Sequence, residues 1–392
     1  MKKQILSYLS LGQICDVQSG GTPSRHINAY WENGNIPWVK ISDIKGKHLF
    51  GTDEFITRQG LENSSAKIFP KGTILYTIFA TLGETTILNI DAATNQAIAG
   101  INIHDQYKEI ILTDYLYYYL LSIKDIMCKI GRGVAQNNLN LKILRNVQVP
   151  VPSIEEQKKI IDTLSLIEKI MLVKDKQLSR LSNLVKSRFL EMFGDIQHNP
   201  CKWDIEPLSA VCHKITDGEH GSVQRVSEGY VYLNAKNIRQ DGNIDWENIT
   251  HISFKDHAKI FKRCNPEPDD ILLTTTGTVG NIAIVPKVGP FSIDRGITLL
   301  KINNDRLNNI YLANLLNSEY LQQCMKNNIH ASAIGHLFLK QVKSLSVMLP
   351  PLHLQNQFAD YVVHIDKSKM AVQKSLDELE TLKKSLMQTY FG

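Results

Sequence analysis

The side chains best suited to chemistry each lack the partners that chemistry would need. TTTGTVG at Thr274 is rich in glycine and hydroxyls, but it has no GK[ST] ending with which a phosphate loop grips its ligand. Its echo in the first half of the chain, FATLGE at Phe79, reads with it as a repeated turn between strands. NPCKW at Asn199 approaches the Asn-Pro-Pro-aromatic signature of amino-group methyltransferases, but the second proline is missing and no glycine-rich cofactor loop accompanies it. PDD at Pro268 could open a nuclease carboxylate set, yet no acidic-x-Lys partner follows a short distance on. Cys212-His213, and His330 with His336, lack the further ligands a metal requires. Cys15, Cys128, Cys201, Cys212, Cys264 and Cys324 form no CxxC pair, which argues against a zinc site and a disulfide framework and for reduced, partly buried thiols. The expectation is a chain with no catalytic residue and no metal site of its own.

The elements that would position any site come next. With 392 residues, 43% hydrophobic and 21% charged, the chain can bury ordinary cores in two or three domains. No apolar run approaches the roughly 18 to 20 residues of a membrane span. MKKQILSYLSLGQIC lacks a sustained apolar region and a small-residue cleavage site, so no signal peptide is expected and the protein reads as cytoplasmic. A net charge of +5 permits basic patches without announcing a nucleic-acid binder.

The strongest signal is internal repetition. NLVKSRFLEMFG at Asn183 returns as LKKSLMQTYFG at the end of the chain, and a shift of 198 positions aligns Ala135–Gly194 with Ala333–Gly392 without a gap. About 18 of the roughly 60 aligned positions are identical, among them Leu139/Leu337, Lys142/Lys340, Pro152/Pro350, Gln157/Gln355, Asp162/Asp360 and Phe193/Phe391. Upstream the echo is fainter: WVKISDI at Trp38 parallels YLNAKNI at Tyr232, and YLYYYLLS at Tyr115 parallels YLANLLNS at Tyr311. The chain therefore reads as two copies of a unit of about 197 residues.

Within each copy, short β-branched runs such as GTILYTIF and DILLTTT, punctuated by Gly, Pro, Asn and Asp, predict a mixed α and β domain. A proline then leads into about 40 residues free of Gly and Pro, Ile154 to Phe193 and Leu352 to Phe391, which predicts one long helix per copy. A heptad stripe fits both in the same phase. It runs through Gln157, Ile160, Leu164, Ile167, Met171, Lys174, Leu178, Leu181, Val185, Arg188 and Met192. In the second copy it takes Gln355, Phe358, Val362, Ile365, Lys369, Val372, Leu376, Leu379, Lys383, Leu386 and Tyr390. Each stripe needs a partner, and its own duplicate is the obvious one, so an antiparallel intramolecular coiled coil with a pseudo-two-fold repeat is expected. The alternative is two helices that each pack on their own domain. Lys174, Arg188, Lys369 and Lys383 interrupt the stripe as register markers, and Ile161, Leu166, Ile170, Leu172 and Val173 lie off it, where the globular parts or another subunit would pack.

The expected fold class is thus α+β, with domains at 1–150 and 196–348 and helices at 151–195 and 349–392. A helix of about 40 residues spans roughly 60 Å, and successive half-sites on B-DNA lie about 34 to 36 Å apart. Such a rod could hold two readers on one duplex, or serve as a scaffold unconnected with DNA. The charge on the first helix is nearly balanced, so the helix itself is not the expected DNA-binding element.

This plan resembles the specificity subunit of Type I restriction-modification systems. So do LGQICDVQSGGTPSRHINAYWENGNIPWVKISDI, which looks like the opening of a target recognition domain, and LNLKILRNVQVPVPSIEEQKKIIDTL, which looks like its passage into the helix; LFLKQVKSLSVMLPPLHLQNQFADYV is a weaker second instance. The resemblance covers essentially the whole chain and rests on GGTPS, IPWVKISDI and VPSIEEQKKI in combination. It implies two target recognition domains, each reading half of a split, asymmetric DNA site, and paired helices that space them and dock two modification (methyltransferase) subunits. It also implies restriction subunits where the system has them, no membrane, and no cofactor in this chain: S-adenosylmethionine, ATP and magnesium belong to the partners. The second copy departs from the pattern, with DGEHGSVQ where the first has GGTPSRHI.

Base edges are read by Arg, Lys, Asn, Gln, Ser and Thr, while phosphate contacts give position. In the first domain the candidates are Thr22, Ser24, Arg25, Lys40, Lys45 and Lys47; in the second they are Arg225, Lys236, Asn237, Arg239 and Thr276. For each of these, solvated surface or turn chemistry is the competing account. Lys142, Arg145, Lys340 and Lys343, at matched places before the helices, are candidate backbone contacts or ordinary exposed charge. Two further classes stand beside DNA recognition: a coiled-coil scaffold without sequence preference, which salt-sensitive binding to one bipartite sequence would rule out, and an enzyme with unrecognised motifs, which activity of the chain alone would reveal.

Overall fold

The β-branched runs form strands, and four strands of the larger sheet keep one order in both units, the first unit adding His48–Leu49 at the edge. In the computed structural model, which describes residues 5–132, 139–329 and 335–392, the chain divides into two units, Met1–Lys174 with Ser375–Gly392, and Asp175–Lys374. Ala135 and Ala333, the first aligned pair of the repeat, and His330 lie outside the described residues.

In the first unit the larger sheet orders Cys15–Ser19, Ile98–Ile103, Ile74–Thr77, Thr85–Leu88 and His48–Leu49. In the second unit Cys212–Asp217, Ile297–Ile302, Ile271–Thr274 and Ile282–Ile284 repeat that order. A second sheet in each unit contains one parallel pair. Trp38 lies opposite Ala93 in the first unit, and Tyr232 lies opposite Ser292 in the second. Ile74–Thr77 and Ile271–Thr274 are buried throughout, which is why they read as continuous apolar and threonine runs rather than as alternations.

The helix Thr113–Ser122 buries Tyr115, Leu116, Tyr117, Tyr118, Tyr119 and Leu120 in succession, so its face is apolar all round and its hydroxyls need partners. Tyr115 donates to the Pro150 carbonyl at 2.8 Å, and its counterpart Tyr311 donates to the Met348 carbonyl at 3.1 Å. These acceptors lie on the strands Gln148–Pro152 and Ser346–Leu349, which pair antiparallel with Ile5–Ser10 and Asp204–Pro207. Each domain is therefore closed at the point where its long helix begins.

Both long helices run as the sequence indicates, Ile154–Phe193 and Leu352–Phe391, 40 residues each. Every stripe position is buried or half-buried, the four charged interruptions included. In the first unit, Leu386, Met387, Tyr390 and Phe391 pack on the core that holds Ile160 and Leu164. In the second, Val185, Phe189 and Phe193 share a core with Phe358 and Val362. The start of one helix meets the end of the other in each unit, which is antiparallel pairing and not two helices that each pack on their own domain alone. Off the stripe, Ile161 packs on the first core, whereas Leu166, Ile170, Leu172 and Val173 are exposed.

All six cysteines are free. Burial pushes the thiols of Cys15, Cys212 and Cys264 up to about 12, so they are inert at neutral pH. Among the described residues no helix is long and apolar enough to cross a membrane, and no group of three or more His, Cys, Asp or Glu could hold a metal ion.

Candidate nucleic-acid interface

The first candidate segment leaves the sheet through a close backbone approach. A Cβ on Gly20 would sit 2.3 Å from the Thr94 carbonyl oxygen, so only glycine fits there while its N–H bonds the Ile98 carbonyl at 3.1 Å. Gly218 repeats the arrangement, with a Cβ 2.1 Å from the Ile293 oxygen. The first glycine of GGTPS therefore has its counterpart in DGEHGSVQ, although the residues that follow differ.

Beyond the glycines, Thr22 hydrogen-bonds the Gln96 side chain, and Ser24 is exposed with its carbonyl accepting from the Trp31 indole at 3.0 Å. Arg25 lies with its guanidinium 3.6 Å from the centre of the Trp31 ring and 4.8 Å from that of Trp38. Glu54 binds Arg25 at 2.5 Å and Lys40 at 2.7 Å. Against the penalty of burial, hydrogen bonds from Lys40 and Arg25 hold the Glu54 carboxyl below its ordinary value, and the bond to Glu54 raises Lys40. The guanidinium is thus oriented by a ring below and a carboxylate at one edge, yet it stays half exposed, with donors left for a ligand. Arg25, Trp31, Asn33, Asp53, Glu54 and Phe55 line a hollow of about 360 Å³ at this place.

The other two candidates in this domain part company. Lys45 is exposed, whereas Lys47 is drawn inward, 2.7 Å from Asp114 and 4.6 Å from the centre of the Tyr118 ring. Its charge is engaged inside the unit.

In the second unit Arg225 stands 4.1 Å from the centre of the Tyr232 ring, and Tyr232 holds the strand position of Trp38. Both units therefore seat an arginine on the aromatic at the same place in the sheet, from segments that do not align. Arg239 pairs with Asp245 at 3.1 Å and is half exposed. Lys236 is exposed, and Thr276 hydrogen-bonds His336 at 2.8 Å.

Asn237, a candidate by residue type, is instead enclosed. It is 3% exposed; its Oδ1 accepts from the Asn234 N–H at 2.9 Å and its Nδ2 donates to the carbonyl of Asn248 at 3.0 Å. It tightens a 3-10 turn as Asp43 does through the Lys40 N–H at 2.9 Å, and it has no free edge for a base. Lys142, Arg145, Lys340 and Lys343 are exposed on short helices, and Arg145 also donates to the Val17 carbonyl at 2.6 Å.

TTTGTVG is the turn its echo suggested. Thr274 Oγ1 accepts from the Asn281 N–H at 2.9 Å and donates to the Thr278 carbonyl; Thr77 accepts from the Glu84 N–H at 2.8 Å and donates to the Thr81 carbonyl. Gly280 at φ +97° and Gly83 at φ +83° complete matching turns. Sequence reasoning missed Trp31 and Glu54, which orient Arg25; a lone tryptophan in the polar run HINAYWENGN was the available signal.

A duplicated α+β unit joined by antiparallel helices, with divergent arginine-bearing loops on equivalent scaffolds, describes a class of two-headed recognition proteins. The family described as the Type I restriction modification DNA specificity domain matches residues 7–182 and again 216–381, and the chain belongs to it. The MjaIX specificity subunit of a Type I restriction enzyme from Methanocaldococcus jannaschii is 23% identical over 398 residues, which covers 95% of this chain and 90% of that protein. The EcoR124I/EcoR124II specificity subunit of Escherichia coli is 29% identical over 171 residues, 42% of this chain and 41% of that one. Among solved structures, the Type I restriction-modification S subunit from M. genitalium superposes with a TM-score of 0.52 at 16% identity, covering 98% of this chain and 96% of that one. A chain from a structure of type I R-M complex assembly and conformational transition reaches 0.61 at 18% identity, covering 98% and 97%. At such identities these structures speak to the fold.

Proposed function

We propose that this chain is the sequence-reading subunit of a Type I restriction-modification complex, each unit reading one half of a split, asymmetric double-stranded DNA site. The observation that carries this reading is sameness of scaffold combined with difference of surface. The order of four strands in the larger sheet, the parallel pair in the second sheet, the turns at Thr77 and Thr274 and the buried Gln157 and Gln355 repeat, while the loops bearing Arg25 and Arg225 do not. Duplication for mere bulk gives no reason for that division, whereas two half-sites of different sequence do. In this reading the paired helices set the gap between half-sites, and their exposed apolar residues, Leu166, Leu172 and Val173 among them, offer docking surface to two modification subunits.

The chain itself is non-catalytic. S-adenosylmethionine for adenine methylation belongs to the modification subunits, and ATP and magnesium belong to restriction subunits where the system includes them. The assembly works in the cytoplasm, where the DNA is. A scaffold indifferent to DNA sequence is disfavoured by membership of a DNA specificity family.

Mapping adenine methylation in the genome of cells that express the chain with its modification subunits tests the reading. A split motif that changes in one half only when the first globular domain is exchanged supports it. No methylated motif, from an assembly that forms and contains active methyltransferase, overturns it.

A further inference from the structure

A polar chain inside the first unit ties the recognition domain to both long helices. Lys47 Nζ lies 2.7 Å from Asp114 Oδ1 and 3.4 Å from the Tyr118 hydroxyl. That hydroxyl donates to Glu168 Oε2 at 2.8 Å, and Lys383 Nζ donates to Glu168 Oε1 at 2.7 Å. Tyr118 belongs to the domain, Glu168 to the first long helix and Lys383 to the second. Glu168 and Lys383 are each 25% exposed at the side chain, so water does not dissolve the contact.

At the matching positions of the second unit, among the described residues, the contacts differ. The position of Lys383 is held by Val185, which is 5% exposed. Glu168 corresponds to Asp366, which pairs along its own helix with Lys369 at 3.2 Å, and Tyr118 corresponds to Asn314, which donates to the Ile310 carbonyl in its own helix. Both units seat a helix-end phenylalanine on the domain's rings, Phe391 on Tyr115 and Phe193 on Tyr311, but the second adds Phe189 stacked on Tyr311 at 5.5 Å and 18°, where the first has Met387.

Apolar packing is tolerant of small rotations, whereas hydrogen bonds weaken steeply away from their preferred angles. A partly buried ion pair also contributes little over an apolar pair of the same volume, so stability alone gives no reason for a lysine in the stripe. We propose that Tyr118, Glu168 and Lys383 are positioning residues that set the angle of the first recognition domain on the helix pair, and with it the gap and helical phase at which its half-site is read. The proposal rests on the DNA-reading function above.

The test uses the full chain assembled with its modification subunits. Methylation rates are measured on duplexes whose half-sites are separated by the optimal gap and by gaps one base pair shorter and longer. Lys383→Met and Tyr118→Phe are expected to raise the neighbouring-gap rate several-fold relative to the optimum, while Lys383→Met leaves the unfolding temperature unchanged or higher. Lys369→Met, whose ion pair stays within one helix, is expected to leave the gap profile alone. If Lys383→Met and Tyr118→Phe both keep the wild-type ratio, or Lys369→Met broadens it equally, the proposal fails while the DNA-reading function stands. If the unmodified chain shows no split target at all, that function fails, and the proposal with it.

Discussion

Gln157 and Gln355 do the same work in the two units. Each is the fourth residue of its long helix, each is fully buried, and each turns back to hold the domain it follows. Gln157 accepts from the Leu112 N–H at 2.9 Å and donates to the carbonyls of Ile110 and Pro152 at 2.8 and 3.0 Å. Gln355 accepts from the Asn308 N–H at 2.9 Å and donates to those of Arg306 and Pro350 at 3.1 and 2.7 Å. Three backbone groups at each junction thus find partners in one side chain.

Replacing Gln157 by Leu should strand those groups at a cost of about 2 kcal/mol. For a unit of this size that lowers the unfolding temperature by about 4 to 8 °C. Gln355→Leu should produce a similar loss. Thermal unfolding monitored by circular dichroism measures both, and a neutral result at either site would mean that water satisfies the stranded groups.

His257 should make the second domain sensitive to acid. Its ring is buried, stacks on Tyr230 at 3.9 Å and shares a hydrogen bond with Ser292 at 2.9 Å, and burial pushes its pKa below the ordinary value. The unfolded chain therefore binds this proton more readily than the folded one, and stability falls as pH drops below about 6.5, the ordinary histidine value. Unfolding temperatures at neutral pH and at mildly acid pH should diverge, and His257→Gln should shrink the difference. An unchanged difference would assign the acid sensitivity to other groups.

The arginines seated on rings should divide specificity between the half-sites. Arg25→Ala is expected to relax the first half of the methylated motif by roughly 1 to 3 kcal/mol of discrimination, the scale of one bidentate base contact, and to leave the second half intact. Arg225→Ala should do the reverse. Asn237→Ala, by contrast, should cost about 1 to 3 kcal/mol of stability with no change in the motif, because its groups are spent within its own loop. Competition binding with duplexes varied one half at a time separates these outcomes; a loss spread evenly over both halves would demote Arg25 to a phosphate contact.

Those contrasts mark where the sequence was legible. The long helices were, because a heptad stripe without Gly or Pro is a local pattern that repeats over 40 residues, and its charged members remain half-buried in place. Gln157 and Gln355 stood out as an identical pair, but their function depends on acceptors as far as 47 and 49 residues away. Residue type, which nominates the recognition candidates, cannot tell Lys45 at the surface from Lys47 against Asp114, or an exposed Arg239 from a buried Asn237. Arg25 owes its pose to Trp31 and to Glu54, 29 positions on, and neither has a periodic signature.

Helix length is the last quantity to test, and it is testable without knowing a single base contact. Deleting Leu172–Leu178 and Met370–Leu376 removes one heptad from each helix at matched positions and keeps the stripe in phase. Seven residues at about 1.5 Å each remove roughly 10 Å, close to three base pairs at about 3.4 Å. The preferred gap between methylated half-sites should shorten by about that number, with both half-sequences unchanged, because the recognition loops are untouched. Shortening one helix alone should instead misalign the stripes and lower stability without defining a new gap. Methylation of a gap series by the assembled complex reads the result directly. A folded, assembled variant that keeps the original gap would show that the helices bind partners but do not measure distance.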